Sequence, residues 1–299
     1  MTRLADLAEL VRAPAALSVP GDVLSGAAAA GALGPGTPAL AGASVLLYWA
    51  GMAANDWADR RLDAVERPER PIPSGRVRPA VALGVASGLT AAGLAVATAA
   101  GGRRAATVAL PLAATIWGYD LRAKNTAAGP AVMAACRGLD VLLGASGGRV
   151  VRALPAALTV AAHTWTVTAL SRREVTGADR RLPGLTLAGT ALIALTTPAR
   201  PGPPATGPGR SGAARAARLG DLVPAVLAAG YATRYGRAQA RVLADPSPAR
   251  VRAAVGAGIT GLPALQGALT ARAGARLLGL AVAGAAPLGR RLARLISPT

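Results

Sequence analysis

Residues 80–100, 182–199 and 253–271 contain no charged side chain. Each run is close to the ~20 residues with which an α-helix crosses a hydrocarbon layer, where the backbone must bond to itself. A soluble helix of that length keeps a polar stripe on its water face, and residues 80–100 have none. The pattern therefore favours membrane helices over a soluble, alanine-rich helical protein. Shorter apolar blocks at about 13–33, 38–54, 105–119, 127–147, 152–170 and 277–296 extend it. No period-two alternation suggests strands. The expected fold is all-α, a polytopic transmembrane bundle of about nine spans, with residues 1–299 as a single membrane domain. The segment 199–218, "ARPGPPATGPGRSGAARAAR", is rich in Pro, Gly and Arg and reads as a flexible loop outside the membrane. The first twelve residues mix Arg3, Asp6, Glu9 and Arg12 without a cleavage-like end, so the first helix is expected to stay as an anchor.

A net charge of +19 on a soluble chain would point to nucleic acid. Here the arginines fall mostly between the apolar blocks. With the N-terminus in the cytoplasm, loops 55–78, 121–129 and 171–181 carry six, two and four basic residues, and loops 34–38, 101–104 and 146–152 carry none, two and two. That asymmetry satisfies the positive-inside preference. The charge thus reports topology and attraction to anionic lipid or diphosphate rather than to nucleic acid. Heavy use of Arg, Ala, Gly and Pro suggests a high-GC bacterial genome, hence a multi-pass protein of the bacterial cytoplasmic membrane. The single Cys136 excludes an internal disulfide framework and a cysteine-based zinc site. No motif points to an obligate protein partner.

Five of the fourteen acidic residues lie between positions 56 and 69, directly after forty residues whose only charge is Asp22. On a helix turning about 100° per residue, Asn55, Asp56, Asp59, Asp63 and Glu66 share an arc of roughly 100°. Like charges so spaced repel. Either Arg60, Arg61 and Arg67 balance them in surface salt bridges, or a cation sits among them. Two or three carboxylates suit Mg²⁺, which keeps open positions for phosphate oxygens. Pro68, Pro71 and Pro73 stop the helix, so a stiff extended loop is expected after residue 66.

The rarest residues mark a second cluster, "WGYDLRAKNT" at 117–126, which holds the one lysine, Lys124, and one of the two asparagines. Asp120 and Lys124 stand at i, i+4 and face one side if the helix continues. Lysine is a compact donor to phosphate oxygens, and Tyr119 beside it can donate or stack. An interfacial aromatic belt with a snorkelling lysine is the plainer alternative.

The run "NDWADRRLDAVERPERPIPSGRV", residues 55–77, resembles the first aspartate-rich motif of the UbiA superfamily of membrane prenyltransferases, N-D-x-x-D-x-x-x-D followed by R-P-x-P-S-G. The order and spacing are intact over 23 residues. "RAPAALSVPGDVLSGAA" at 12–28 is similar to the family's first helix, and "YDLRAKNTAAGPAVMAACRGLDVLLG" at 119–144 is similar to the bacterial branch called EboC-like. The resemblance implies a bundle of about nine helices around a central cavity. It implies that Asn55, Asp56, Asp59 and Asp63 hold Mg²⁺ and, through it, the diphosphate of an isoprenyl donor. It also implies Arg67, Arg70, Tyr119, Lys124 and Asp120 near that diphosphate. The implied reaction is transfer of the isoprenyl group to an aromatic or other lipophilic acceptor, in contact with membrane lipid and on the cytoplasmic side.

The second acidic motif of the family, D-x-x-x-D, departs here to "TALSRREVTGADRR", with Glu174 and Asp179 five apart. Glu174 is the one candidate substitute ligand, and a catalytically altered protein that binds or carries a prenylated lipid is the alternative reading. Asp22, Asp140 and Arg137 lie in or near apolar segments, where charge is costly and commonly functional; Asp22 is the better candidate substrate contact of the two acids, and Arg137 either pairs with an acid or with diphosphate or anchors an interface. For His163, the only histidine, helix packing and acceptor binding are both open. "GAGITG" at 256–261 follows no strand and lacks a phosphate-loop lysine, so it is not a nucleotide motif. The D-G and A-R pattern of CDP-alcohol phosphotransferases is absent after Asp59.

Overall fold

The computed structural model describes residues 3–197 and 211–285, and no strand occurs among them. In order the chain forms α1 (Leu4–Leu10), a 3₁₀ segment (Ala13–Ser18), α2 (Pro20–Ala30), α3 (Thr37–Glu66), α4 (Pro79–Gly118), a π-turn (Tyr119–Ala123), α5 (Gly129–Ala145), α6 (Val150–Ser171), α7 (Arg181–Thr196), α8 (Ser211–Ala244), α9 (Pro248–Arg272) and α10 (Arg276–Ala285). The all-helical fold read from the sequence is the one observed. Thr37–Glu66, Pro79–Ala123 and Val150–Ser171 are long and apolar enough to cross a membrane, and Arg181–Thr196 and Arg276–Ala285 are shorter apolar helices.

The described residues fall into two compact units, one ending at Ala157 and the other beginning at Leu158. In the first, α4 is a hairpin of two limbs. Gly102, at φ 61° and ψ −153°, breaks the helix, and Trp117 Nε1 donates to Thr90 Oγ1 at 3.1 Å. A straight helix would hold those residues roughly 40 Å apart. The loop expected at 101–104 is thus a tight reversal between segments 80–100 and 105–119. The limbs pack on α3 through Leu40, Ala43, Leu47, Ala97, Ala105, Ala109 and Leu112, all buried. Small side chains let helix backbones approach closely where no hydrophobic drive separates helix from lipid.

The closest approach is between α2 and α5. A Cβ on Gly26 would overlap the Val141 carbonyl, and one on Gly144 would overlap the Val23 carbonyl. Backbone contact at both points presses Asp22 on α2 against the face of α5 that carries Arg137.

After α3 the chain departs from the extended loop expected. Residues 67–77 fold into consecutive turns, with Arg70 N–H to Arg67 O at 3.1 Å, Ser74 N–H to Arg70 O at 3.0 Å and Val77 N–H to Pro71 O at 2.8 Å. Prolines end the helix as expected. The Ser74 hydroxyl donates to Arg70 O at 2.6 Å, Gly75 takes φ +76°, and Ile72 and Val77 bury themselves against Leu10, Ala53 and Ala82. Local bonding and burial outweigh proline stiffness.

In the second unit α8 matches none of the nine apolar blocks, because Arg234, Arg237 and Arg241 interrupt its hydropathy. Residues 199–210 of the expected loop lie outside the described residues. From Ser211 the chain is helical as the first turns of α8, so the loop does not extend to 218. His163 on α6 is buried, its Nδ1 2.9 Å from Tyr231 Oη, with edge-on contacts to Tyr231 and Tyr235. That is a helix-packing role.

Gly144→Leu will break the α2–α5 contact. Overpacking a tight interface costs about 1–3 kcal/mol, and a clash with backbone more, so the thermal midpoint of detergent-solubilised protein will fall by several degrees. Gly88→Ala, where a Cβ meets open space, will leave it within error.

Candidate functional site

Four carboxyl groups gather where α3, the π-turn and the 67–77 turns meet. Asp56 and Asp63, on α3, are 4% and 3% exposed, and Asp120, in the π-turn, is 3% exposed. Carboxylates withdrawn from water must be paired, and each is. Arg12 Nη2 lies 2.9 Å from Asp56 Oδ1. Arg70 Nη1 bridges Asp56 at 3.3 Å and Asp63 at 2.7 Å. Lys124 Nζ meets Asp59 Oδ1 at 2.6 Å, and Asn55 Nδ2 donates to Asp120 Oδ1 at 3.1 Å.

The expected i, i+4 relation of Asp120 and Lys124 is changed by the π-turn, in which Lys124 N–H bonds back five residues to Tyr119 O at 2.9 Å. Widening the helix by one residue keeps both side chains on α3, Asp120 on Asn55 and Lys124 on Asp59, themselves one turn apart. Single π-turns recur at functional sites.

Arg12 went unnoticed in the sequence, although it is the last charge before the uncharged stretch. It is also the one non-glycine residue with positive φ among those described, at 48°. That conformation costs about 1–2 kcal/mol, and its ion pair with Asp56 holds it there. Arg70 joins the cluster as expected. Arg67 does not: it is exposed at the end of α3. Glu66 is exposed too, so the acidic face splits into buried Asp56 and Asp63 and a solvated end.

Arg76 ties the turns to α1. Its guanidinium reaches Asp6 at 3.0 Å, Glu9 at 2.6 and 2.9 Å, and Glu69 O at 2.7 Å. The Arg3 backbone N–H, at 3.0 Å, and then Arg76 hold the Asp6 carboxyl below the ordinary carboxylate range, while Glu9 and Asp6 push the Arg76 guanidinium further up.

Beside the carboxyls opens a cavity of about 80 Å³. Leu47, Met52, Leu112, Ile116 and Met133 form its apolar wall, and Tyr119 and Asp120 line it on the side of the cluster. Ser44, Arg137 and Asp140 also line it, and Ser44 lies roughly 16 Å before Asn55 along α3. There Arg137 Nε pairs with Asp22 Oδ2 at 2.8 Å, Arg137 Nη2 donates to Ser18 O at 3.3 Å, and Ser44 Oγ donates to Asp140 Oδ2 at 2.7 Å. Asp22 and Arg137 were singled out from sequence and Asp140 was weighed beside Asp22 as the lesser candidate; the signal for Ser44 was only its polarity in an apolar run.

Glu174 belongs to the second unit, in a turn after α6 whose backbone carbonyl accepts from Arg252 at 2.9 Å. Asp179 Oδ1 accepts from Leu182 N–H at 2.9 Å and so caps the first turn of α7.

Among the described residues no three acidic, imidazole or thiol groups converge on one point, because each carboxyl of the cluster is turned onto its partner. The donor set nevertheless fits Mg²⁺ in kind: hard oxygens from Asp56, Asp59 and Asp63 with the Asn55 amide.

The model of the UbiA prenyltransferase family matches residues 21–193. Digeranylgeranylglyceryl phosphate synthase of Natronomonas pharaonis is 45% identical over 85 residues, 28% of this chain and 31% of that protein. The bacteriochlorophyll synthase 33 kDa chain of Cereibacter sphaeroides is 42% identical over 100 residues, 31% of this chain and 32% of that one. The matched stretches thus span about a third of these relatives. In fold, the chain resembles a structure described as digeranylgeranylglyceryl phosphate synthase in membranes, with TM-score 0.66 and 16% identity over 91% of this chain and 99% of the other. It also resembles the apo structure of a UbiA homolog from Aeropyrum pernix K1, with TM-score 0.56 and 18% identity over 88% and 96%.

Arg70→Ala will leave Asp56 and Asp63 without their shared cation. Breaking a buried pair from one side costs roughly 3–5 kcal/mol, read as a lower unfolding midpoint in detergent. Arg67→Ala, at an exposed position, will change stability by less than about 0.5 kcal/mol.

Proposed function

The chain belongs to the UbiA prenyltransferase family, whose members are integral membrane proteins and generally metal-dependent, and on that premise we propose that it transfers an isoprenyl group from a prenyl diphosphate to a lipophilic acceptor inside the membrane. The observation that carries this reading is the meeting of Asn55, Asp56, Asp59 and Asp63 with Arg70, Arg12 and Lys124 at one side of an apolar cavity. Carboxylates and basic groups in contact suit a ligand that is itself a metal paired with an anion.

On this reading Asn55, Asp56, Asp59 and Asp63 would hold Mg²⁺. When bound, Mg²⁺ would neutralise charge on the departing diphosphate. Lys124, Arg70, Arg12 and the Tyr119 hydroxyl would then be left to bind phosphate oxygens. Asp120, held by Asn55, positions that amide. The carbon–oxygen bond to diphosphate breaks, the acceptor's nucleophilic atom bonds to the allylic carbon, and the acceptor's proton leaves. Leu47, Leu112 and Ile116 keep water from the allylic cation.

Polar groups along the cavity suit the acceptor. Arg137, fixed by Asp22, and Asp140, fixed by Ser44, offer hydrogen bonds to a polar substituent in an otherwise apolar wall. Basic excess in loops 55–78 and 121–129 supports a cytoplasmic mouth in a bacterial cytoplasmic membrane. A second reading, binding of a prenylated lipid without transfer, is favoured by one observation: Asp179, an acid of the altered second motif, is engaged as a helix cap.

Membranes holding the protein should release diphosphate from a labelled prenyl diphosphate when lipophilic acceptors are supplied. Asp56→Ala and Asp59→Ala will each lower that rate by about 100-fold or more, the scale lost with one electrostatic contact to the transition state; unchanged turnover sinks the assignment. Tight donor binding with no release across phenolic, alcohol and carboxylate acceptors establishes the second reading. Ser44→Ala will raise the acceptor KM several-fold and leave the donor KM unchanged; the opposite pattern removes Ser44 and Asp140 from the acceptor side.

A further inference from the structure

A groove of about 740 Å³ runs between α8 and α9 in the second unit, lined by Arg234, Arg237, Arg241 and Arg250 over a floor that includes Gly230 and Ala253. All four arginines are exposed. Arg250 meets Asp245 at 3.5 Å, and Arg234 Nη2 donates to Thr260 Oγ1 at 3.0 Å. Neither Arg237 nor Arg241 has an ion-pair or hydrogen-bond partner among the described residues. Four cations facing one carboxylate leave the groove strongly positive.

The same exposed face of α8 changes character along its length. Leu222 and Val226 are 54% and 65% exposed, and they lead at helical spacing through Gly230 and Thr233 to Arg234, Arg237 and Arg241. The opposite face, Tyr231, Tyr235, Gln239 and Val242, is buried. On α9 the order is mirrored, from Arg250 to the exposed Ile259. An exposed apolar stripe on an integral membrane protein faces acyl chains, and the change to arginine marks the level of the headgroups. From Val226 to Arg237 the helix rises roughly 16 Å, about half of a ~30 Å hydrocarbon layer, which is the depth of one lipid leaflet.

We propose that the α8–α9 groove binds an anionic glycerophospholipid from the bilayer, its phosphate on Arg237 and Arg241 and an acyl chain along Val226 and Leu222. Arginine suits phosphate through paired N–H donors, and a free phosphate would use the arginines but leave the apolar stripe unexplained. The proposal is independent of the reaction assigned to the first unit.

Protein in neutral detergent is titrated with phosphatidylglycerol or phosphatidylcholine and read by native mass spectrometry, with inorganic phosphate at millimolar concentration as competitor. Wild type should bind phosphatidylglycerol more tightly than phosphatidylcholine, and inorganic phosphate should not displace it. Near a membrane surface each basic residue contributes enough that Arg237→Gln with Arg241→Gln should weaken phosphatidylglycerol about tenfold and leave phosphatidylcholine unchanged. Arg237→Lys with Arg241→Lys should restore most of the preference. A thermal midpoint for the Gln variant equal to wild type establishes that the loss is not misfolding. Equal phosphatidylglycerol binding by the Gln variant overturns the proposal. So does full displacement by inorganic phosphate, or the absence of headgroup preference in wild type.

Discussion

Burying acid inside an apolar helical bundle is the constraint on which the first unit is organised. Asp56 and Asp63 occupy the inward face of α3, where an unpaired carboxylate would be far costlier than any single packing contact. Their cations cannot come from α3 itself, whose Arg60 turns back onto the Trp57 carbonyl and ring. The cations for these two and for the neighbouring Asp59 come instead from three separate places: Arg12, before the 3₁₀ segment, pairs with Asp56, Arg70, in the turns after α3, with Asp56 and Asp63, and Lys124, beyond the π-turn, with Asp59. The strained φ of Arg12, the folded 67–77 turns and the widened helix at 119–123 are each local departures from the easy backbone choice. Each delivers a charge to the same few ångströms of α3.

A similar logic governs the polar groups along the cavity, with packing rather than loops as the means. Asp22 and Arg137 meet because α2 and α5 touch backbone to backbone at Gly26 and Gly144. Larger residues there would separate the helices and leave both charges without a partner. Small residues in this chain therefore do two jobs, supplying close contact where apolar burial gives little drive in lipid and setting the distance over which buried polar groups can pair.

What could be read in advance divides along the same line. Uncharged runs and the sharp return of acid at residue 56 are one-dimensional signals, so most of the helices, a connection at 101–104 and two groups of rare polar residues, one holding Asp56, Asp59 and Asp63 and the other Asp120 and Lys124, were legible. The nearest partner of each charge is a three-dimensional fact. Arg12 lies 44 residues from Asp56, and Ser44 lies 96 from Asp140; no spacing rule reaches that far. Arg67 and Arg70 look equivalent in sequence, yet a turn centred on Pro68 and Pro71 points one outward and the other in. α8 escaped notice because exposed arginines lower its mean hydropathy while its buried face remains continuous.

Charge balance bears on the order in which a proposed donor and its metal arrive. Asp56, Asp59 and Asp63 are balanced by Arg12, Arg70 and Lys124, and Asp120 rests on the neutral Asn55 amide, so each charge of these pairs already has a partner within the cluster. On the proposed reading, an ion alone would take the carboxylates only by stranding three basic groups, and a diphosphate alone would take the basic groups only by stranding the carboxylates. A donor that arrives already carrying its metal meets both halves of the site at once, whereas one that arrives alone must first displace ion pairs buried in low dielectric, where they are strongest. On the proposed reading the pairing of Asp63 with Arg70 and of Asp59 with Lys124 would thus act as a selective latch, opened by a metal–anion pair rather than by either component of it.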